Sequence, residues 1–476
     1  MRNKKSPQFL TPAIRQAGRT VLSAFVLTFL ALPSQAVTDD SWNRGSAEAG
    51  ALVESLKSSA KVLAKDAASG TARSADADDR SWVVVQAPSA RDRSRLASAG
   101  VAIESVEGAR VLGVASPNAV MRLQSLGFPF KAYPLKASGA PPSDRPSVLD
   151  FPQEDKAYHD YARMAADLKQ LAVPGLSSVF SVGQSLEGRD IWCLRINTDA
   201  EGQAPSKKPG IVFMGAHHAR EHLSVETPLL LARYLIKNKD DKGVAPLLKS
   251  RDIYIIPMVN PDGAEYDIAS GSYRMWRKNR RRNPGGSFGV DLNRNYGFHW
   301  GEGGASDDPT DETFKGPSAF SEPETRVVKS FVDARPNLKI LLSYHTFSEL
   351  ILYPWGYTDD AIPDTKAVAA YKAMARKMAQ WNGYTPEQAS ALYIAAGDTC
   401  DWAWGAHKVF AFTFELTPKS EWQGGFYPGA GAITVTFQKN LPPALYLIGL
   451  ADDPYRAADG SRHPRKNGGR AALAAL

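Results

Sequence analysis

Cysteine is scarce: the 476-residue chain holds two, Cys193 and Cys400. They do not form a Cys-x-x-Cys pair and cannot supply a disulfide framework for so long a chain, so stability has to come from a buried core. Excess charge is scarce as well. Lys and Arg total 57 against 50 for Asp and Glu, a formal net charge of +7, which suits an anionic surface but is too weak for a nucleic-acid binder. The apolar run near the N-terminus, Val21–Leu32, falls short of the roughly 20 residues that cross a bilayer. What is present in ordinary measure restricts the class further. With 43% hydrophobic and 22% charged residues, a wholly disordered, collagenous or multi-span membrane chain is excluded. The length leaves room for two or three folded units.

The N-terminus reads as a targeting segment. Arg2, Lys4, Lys5, Arg15 and Arg19 precede the apolar run, no acidic residue occurs before Asp39, and Ser34-Gln35-Ala36 offers small residues for cleavage. Residues 1–36 are therefore expected to be a signal peptide, with an uncleaved anchor or buried helix as the alternative. The product is expected to be secreted or periplasmic, without a stable membrane anchor. Residues 82–133 follow the order βαββαβ, with Gly100 and Gly127 as helix stops and Pro117 as a helix start. This predicts a small ferredoxin-like α+β unit over about 81–135, with no catalytic constellation of its own. Residues 137–149, rich in Pro and Ser, read as a linker. Beyond Asp150 the pattern alternates. Ile191–Ile196, Ile211–Gly215, Asp252–Met258, Lys339–His345 and Phe410–Leu416 read as strands, and Glu226–Lys237, Pro323–Ala334, Thr365–Trp381 and Phe437–Leu450 as helices. Near-continuous apolar runs such as Ile211-Val212-Phe213-Met214 predict strands buried on both faces, hence an α/β domain over 150–452 with helices on each side of its sheet. Residues 453–476 read as a solvated basic tail.

Histidine occurs only eight times, yet His217, His218 and His222 fall within six positions. His218-Ala219-Arg220-Glu221 sets an imidazole and a carboxylate three residues apart, close enough to share one metal ion. The predicted strand Lys339–His345 delivers His345 at its end, where ligands of open α/β sheets gather. Two His and one Glu leave the fourth position of a tetrahedral zinc open, the mark of a catalytic site. The His-x-x-Glu spacing is weak by itself, and a His222/Glu226 pair is a formal rival. Glu415 closes an apolar strand, a costly place for a carboxylate that is neither paired nor used. The basic run Arg274, Arg277, Lys278 and Arg280–Arg282 fits a nucleic-acid patch or a solvated loop by composition, but no recognised binding module accompanies it and no nucleic-acid partner is expected. Cys193 reads as a buried small apolar residue, and pairing with Cys400 is left open.

The block Gly215-Ala216-His217-His218-Ala219-Arg220-Glu221 is followed in order by Asn260-Pro261-Asp262-Gly263, Arg274-Met275-Trp276-Arg277-Lys278-Asn279 and Val290-Asp291-Leu292-Asn293-Arg294-Asn295. Then come His345 with Leu352-Tyr353-Pro354-Trp355-Gly356, Tyr393, and Phe412-Thr413-Phe414-Glu415-Leu416. Block for block the chain resembles the zinc carboxypeptidases of the carboxypeptidase A type over roughly 150–450, and Asp150-Phe151-Pro152 resembles the mature start of their bacterial carboxypeptidase T branch.

The resemblance implies the zinc carboxypeptidase fold, with a mixed, mostly parallel sheet covered by helices on both faces, behind a small ferredoxin-like prodomain. It implies one Zn2+ held by His218, Glu221 and His345, with His217 and His222 outside the ligand set. Asp291 would accept a hydrogen bond from His218. Peptide hydrolysis needs a base for water, charge stabilisation for the oxyanion and a proton for the leaving amine. The resemblance gives the first and third to Glu415 and the second to zinc with Arg277. A free carboxylate is well held by a planar Arg fork with a supporting amide, and Arg294 with Asn293 take that role in the family. Tyr393 would close over the substrate and Arg220 contact it farther from the scissile bond. Arg274 is expected to face the site and Arg280–Arg282 the surface. Counting from Tyr393 puts Cys400 at the floor of the side-chain pocket with Asp398 beside it, which resembles the branch accepting both hydrophobic and basic ends. Residues 37–149 would be the propeptide, an inhibitor until an activating protease cuts near the linker. The expected partners are peptide or protein C-termini and the expected state a monomer. A murein-peptide hydrolase of the same fold is the alternative, and a zinc-free scaffold is disfavoured by the complete residue set.

Overall fold

The computed structural model describes residues 79–135, 151–199 and 202–459. The expected signal peptide (1–36), the following polar stretch, the linker at 137–149 and most of the basic tail lie outside the described residues.

The first sheet forms where alternation is clean. In Ser81-Trp82-Val83-Val84-Val85 the valines at 83 and 85 point into a core with Leu96, Val101, Val111 and Leu123, the period of two expected of a half-buried strand. The elements are β1 (Ser81–Gln86), α1 (Ala90–Ser98), β2 (Ala102–Glu107), β3 (Arg110–Ala115), α2 (Pro117–Ser125) and β4 (Phe130–Pro134). Their sheet order is β2-β3-β1-β4, antiparallel throughout. Both helices start where a serine frees the chain from the strand: Ser89 Oγ accepts from Asp92 N–H, and Ser116 Oγ from Ala119 N–H with Pro117 in the first turn.

The larger sheet belongs to 151–459. Its elements are α3 (Tyr161–Gln170), β5 (Ser177–Gln184), β6 (Asp190–Ile196), β7 (Gly210–Met214), α4 (Leu223–Lys237), α5 (Ala245–Ser250), β8 (Asp252–Ile256), α6 (Pro261–Asp267), α7 (Pro323–Asp333), β9 (Leu338–Thr346), β10 (Leu350–Tyr353), α8 (Thr365–Asn382), β11 (Thr385–Gln388), α9 (Thr399–His407), β12 (Phe410–Leu416) and α10 (Ala432–Leu450). The strand order is β11-β10-β12-β9-β7-β8-β6-β5. β12, β9, β7 and β8 run parallel in the middle, while β10 and β6 pair antiparallel with their inner neighbours. Alternate residues of the central strands go to opposite faces. Ile211, Phe213, Leu342 and Phe412 join a core with α4, α8 and α10, while Val212, Met214, Leu341 and Ala411 join one with α7 and α9. Both cores draw only on residues 151–451, so the large domain does not borrow its interior from the small one. Among the described residues no helix is long and apolar enough to cross a membrane.

Several elements differ from expectation. α10 starts at Ala432 rather than Phe437 and continues through Pro442 and Pro443, which break the sequence pattern but not the helix. The strands β5, β10 and β11 were not foreseen; β10 and β11 have four residues each, too few for a periodic signal. Helices α3, α5, α6 and α9 were missed as well. Residues 454–457, expected in the tail, form a short helical turn in which Pro454 is buried and Tyr455 hydrogen-bonds Asp364. Cys193 and Cys400 are both buried free thiols.

His159 ties the start of the large domain to α4. Its Nδ1 lies 2.8 Å from Glu226 Oε2 and its Nε2 2.8 Å from Asp167 Oδ2. Burial and the Arg233 charge lower its pKa, but the hydrogen bond and charge of Glu226 and the hydrogen bond of Asp167 outweigh them and the net shift is upward from 6.5. A histidine raised on folding contributes stability fully below its unfolded pKa and loses it as pH rises through the folded value. H159Q is therefore expected to cost about 1–3 kcal/mol in urea unfolding at pH 5.5, and less at pH 8.5. A loss that grows with pH would contradict the ion-pair account.

Candidate active site

Two central strands bring the expected ligands, and a third the expected base, to one edge of the sheet. β7 ends at Met214, and the chain turns tightly through Gly215, where a Cβ would collide with the carbonyls of Ser224 and Pro257. The following loop carries His218 and Glu221 before α4 begins. β9 delivers His345, and β12 places Glu415 directly beside it in the parallel register. These are carboxyl ends of parallel strands, where open α/β sheets bind ligands.

His218, Glu221 and His345 are all buried, and one ligand atom from each lies within 4.8 Å of the other two. His218 Nδ1 is 2.7 Å from Glu221 Oε1, His345 Nδ1 is 2.9 Å from Glu221 Oε2, and the two Nδ1 atoms are 3.2 Å apart. The outer nitrogens explain why these atoms face inward. His218 Nε2 donates to Asp291 Oδ1 at 3.1 Å, and His345 Nε2 lies 3.1 Å from Ser343 Oγ. Both Nδ1 atoms and the Glu221 carboxylate converge on one point, the arrangement of donors around a single cation. The donor set fits zinc with a position left for substrate or water. His217 is a satisfied core histidine, 2.9 Å from Tyr296 Oη and 3.2 Å from Ser343 Oγ. The rival pair does not form: His222 bonds Asp267 at 2.8 Å, and Glu226 is taken by His159.

Asp291 organises the neighbouring side chains. Oδ1 accepts from His218 and from Asn293 N–H at 3.0 Å, while Oδ2 accepts from Arg277 Nε at 3.0 Å. Burial alone would raise its pKa, but Arg277 and His218 more than offset this and hold it well below the carboxylate range. Asn293 Oδ1 accepts from Thr399 N–H and Oγ1, which fixes the amide. Arg294 is held by Gly304 O and Asn293 O, with Tyr393 Oη 3.5 Å from Nη2. Burial pushes the Glu415 carboxyl well above its usual value, with the Glu221 charge adding and His218 and Arg277 opposing. A divalent cation at the neighbouring ligands acts in the opposite direction.

Asp398 caps α9, accepting from the N–H groups of Cys400 and Asp401 through Oδ1. Burial raises the pKa of Asp398, and burial with the Asp398 charge raises that of Asp401, against the N–H groups of Gly356 and Tyr357 that donate to its carboxylate. Cys400 Sγ lies 3.2 Å from Thr413 Oγ1.

Arg274 departs from expectation. Its side chain stacks on Tyr266, 4.6 Å from the ring centre, rather than facing the ligands. Arg280, expected at the surface, is sandwiched 3.5 Å from the Tyr266 centroid and 4.9 Å from that of Phe288, and Arg281 pairs with Glu322 at 2.7 Å. The aromatic partners are visible in sequence, but nothing there says which cations they meet.

The small domain, in which no functional residue was expected, reaches into this site. Glu104 on β2 is buried and paired with Arg220 Nη2. Arg220 also meets Glu312 Oε2 at 3.3 Å and packs 4.3 Å from the Phe426 ring. Its Nε has no partner among the described residues. α1 holds the chain on both sides of Tyr393, with Arg93 donating to Ala391 O and Leu392 O and Ser94 Oγ accepting from Ile394 N–H. Glu104, Glu312 and Phe426 carry no motif, and β2 holds Ser105 and Glu107 besides Glu104, so its sequence does not single the buried carboxylate out.

Fold and site together define a zinc-dependent hydrolase of the α/β class. The family profile for zinc carboxypeptidases, peptidase M14, matches residues 164–442. A zinc carboxypeptidase of Saccharothrix mutabilis subsp. capreolus is 36% identical over 411 residues, 83% of this chain and 94% of that protein. Carboxypeptidase B of Astacus astacus is 34% identical over 317 residues, 63% of this chain and 98% of that one. The crystal structure of carboxypeptidase A from Helicoverpa armigera aligns with a TM-score of 0.62 at 25% identity, covering 81% of this chain and 99% of its own. The chain belongs to the zinc carboxypeptidase family: it is a metallocarboxypeptidase, and its cofactor is Zn2+.

Proposed function

We propose that this is an exported enzyme that releases the C-terminal residue of peptides and proteins, made as a precursor whose small domain covers the site. The observation that carries the reading is the convergence of three buried ligand atoms at the strand edge with Glu415 next to His345. His218, Glu221 and His345 would hold the metal. Bound zinc supplies Lewis acidity toward the scissile carbonyl and makes water nucleophilic at neutral pH. Glu415 takes the proton of the attacking water and passes it to the leaving amine. Arg277, kept charged and oriented by Asp291, donates to the developing oxyanion. Arg294 with Asn293 binds the terminal carboxylate, Tyr393 closes over the bound residue, and Arg220 contacts the substrate upstream. Cys400 floors the side-chain pocket with Asp398 beside it, which supports acceptance of both hydrophobic and basic ends.

The small domain, as part of a propeptide over 37–149, is the internal inhibitor, with Glu104 occupying Arg220 where substrate would lie. Cleavage in the connecting segment by an activating protease releases it. Breaking a buried charge pair from one side costs about 2–5 kcal/mol, so E104A is expected to loosen the small domain and raise the basal activity of the uncleaved chain at least ~10-fold. No gain would remove Glu104 from the latch.

The reading is tested with blocked dipeptides ending in Phe, Leu, Arg, Lys and Glu, alongside muropeptides, using protein cleaved in the connecting segment. Release of both Phe and Arg is expected. Release of one class alone would discard the pocket reading, and hydrolysis of muropeptides only would favour the murein-peptide alternative.

A further inference from the structure

The way the small domain is anchored marks a second binding site. Arg80, just before β1, is 8% exposed, and its guanidinium sits in a cradle on the large domain. Nη1 donates to Met275 O at 2.8 Å and to Glu312 Oε1 at 3.1 Å, and Nη2 donates to Arg274 O at 2.7 Å. The Trp276 ring centre lies 5.6 Å from the guanidinium carbon. Glu312 and Met275 O are also the partners of Arg220 Nη1, at 3.3 and 3.4 Å. The cradle and Arg220 are therefore contiguous, sharing one carboxylate and one carbonyl.

We propose that Glu312, the main-chain carbonyls of Arg274 and Met275 and the Trp276 ring form a guanidinium subsite of the processed enzyme. A basic side chain on the amino side of the scissile bond fills it once Arg80 has left. The inference rests on the reading that the small domain departs and that Arg220 borders the substrate. Its physical basis is the deficit left behind. Without Arg80, the buried Glu312 carboxylate loses one of its two paired guanidinium groups, Arg274 O loses its donor, and Met275 O keeps only the 3.4 Å contact from Arg220. A planar fork restores all three acceptors, and an ammonium matches them less well. The other anchors do not form an equivalent cradle. Arg122 pairs with Asp308 and Asp311 while 36% of its side chain stays exposed, and Arg93 donates only to carbonyls.

The test begins in the full chain, where R80A vacates the cradle without altering the large domain. Calorimetry with ethylguanidinium is expected to show binding to R80A, and binding at least ~10-fold weaker to the wild type and to R80A/E312Q. E312D, which withdraws the carboxylate by one methylene, serves as a second variant should E312Q disturb Arg220. In processed protein, peptides sharing one C-terminal residue carry Arg, Lys or Gln at each of the three preceding positions. At one position Arg is expected to exceed Gln about 10-fold in kcat/KM, and E312D to erase the difference. Equal binding to all variants, or indifference to Arg at every position, would overturn the proposal. If no peptide is hydrolysed while R80A still binds ethylguanidinium through Glu312, the carboxypeptidase reading fails and the cradle stands.

Discussion

E415Q is expected to lower kcat on a blocked dipeptide by about three to four orders of magnitude while leaving one zinc per chain. The substitution keeps shape and volume but removes the group proposed to take and return a proton. Glu415 stands beside His345 in the ladder without belonging to the ligand set, so its loss should be visible in turnover and not in metal content. KM should move little, because nothing assigned to Glu415 binds the ground state more tightly than the transition state. Joint loss of zinc and activity would make Glu415 a ligand. Activity within about 10-fold of wild type would require another base.

H345A is expected to abolish both zinc binding and turnover, whereas D291N should cost only about 10–100-fold in either. The contrast follows from position. His345 Nδ1 faces both other ligands at 2.9 and 3.2 Å, and the two that remain form a pair too weak to hold a catalytic metal. Asp291 acts one step out, through the proton on His218 Nε2 and through the two nitrogens of Arg277. Metal analysis of the purified variants, with hydrolysis assayed in added zinc, separates the roles. Retention of zinc by H345A would displace His345 from the centre, and a D291N loss as complete as that of H345A would place Asp291 among the ligands.

The candidate ligands were legible through the ordered family blocks around them, because the His-x-x-Glu step is weak alone and left His222 and Glu226 as a rival pair. A His at one strand end and a carboxylate closing an apolar strand added local signals to that order. The parallel centre of the sheet was legible from runs such as Ile211–Met214, which have no polar face. The outer strands were not. β10 and β11 owe their conformation to hydrogen bonds with β12 and with each other rather than to any pattern of their own. Least legible was the meeting of the two domains. Glu104 and Arg220 are 116 positions apart, and a single carboxylate on a predicted strand carries no mark of the cation it will meet. Arg280 was placed at the surface on charge alone, whereas the rings of Tyr266 and Phe288 draw it inward.

The central claim is that one zinc centre acts on peptides by their free C-terminal end. Its most direct test is metal content and product analysis for protein cleaved in the connecting segment, given a blocked dipeptide and the amide of the same dipeptide. The expected result is one zinc per chain and release of the C-terminal residue from the acid, lost with a chelator and restored by Zn2+. The amide should react at least ~100-fold more slowly, because the anchor proposed at Arg294 and Asn293 finds no carboxylate. Equal rates for acid and amide, or turnover that survives removal of the metal, would contradict the account.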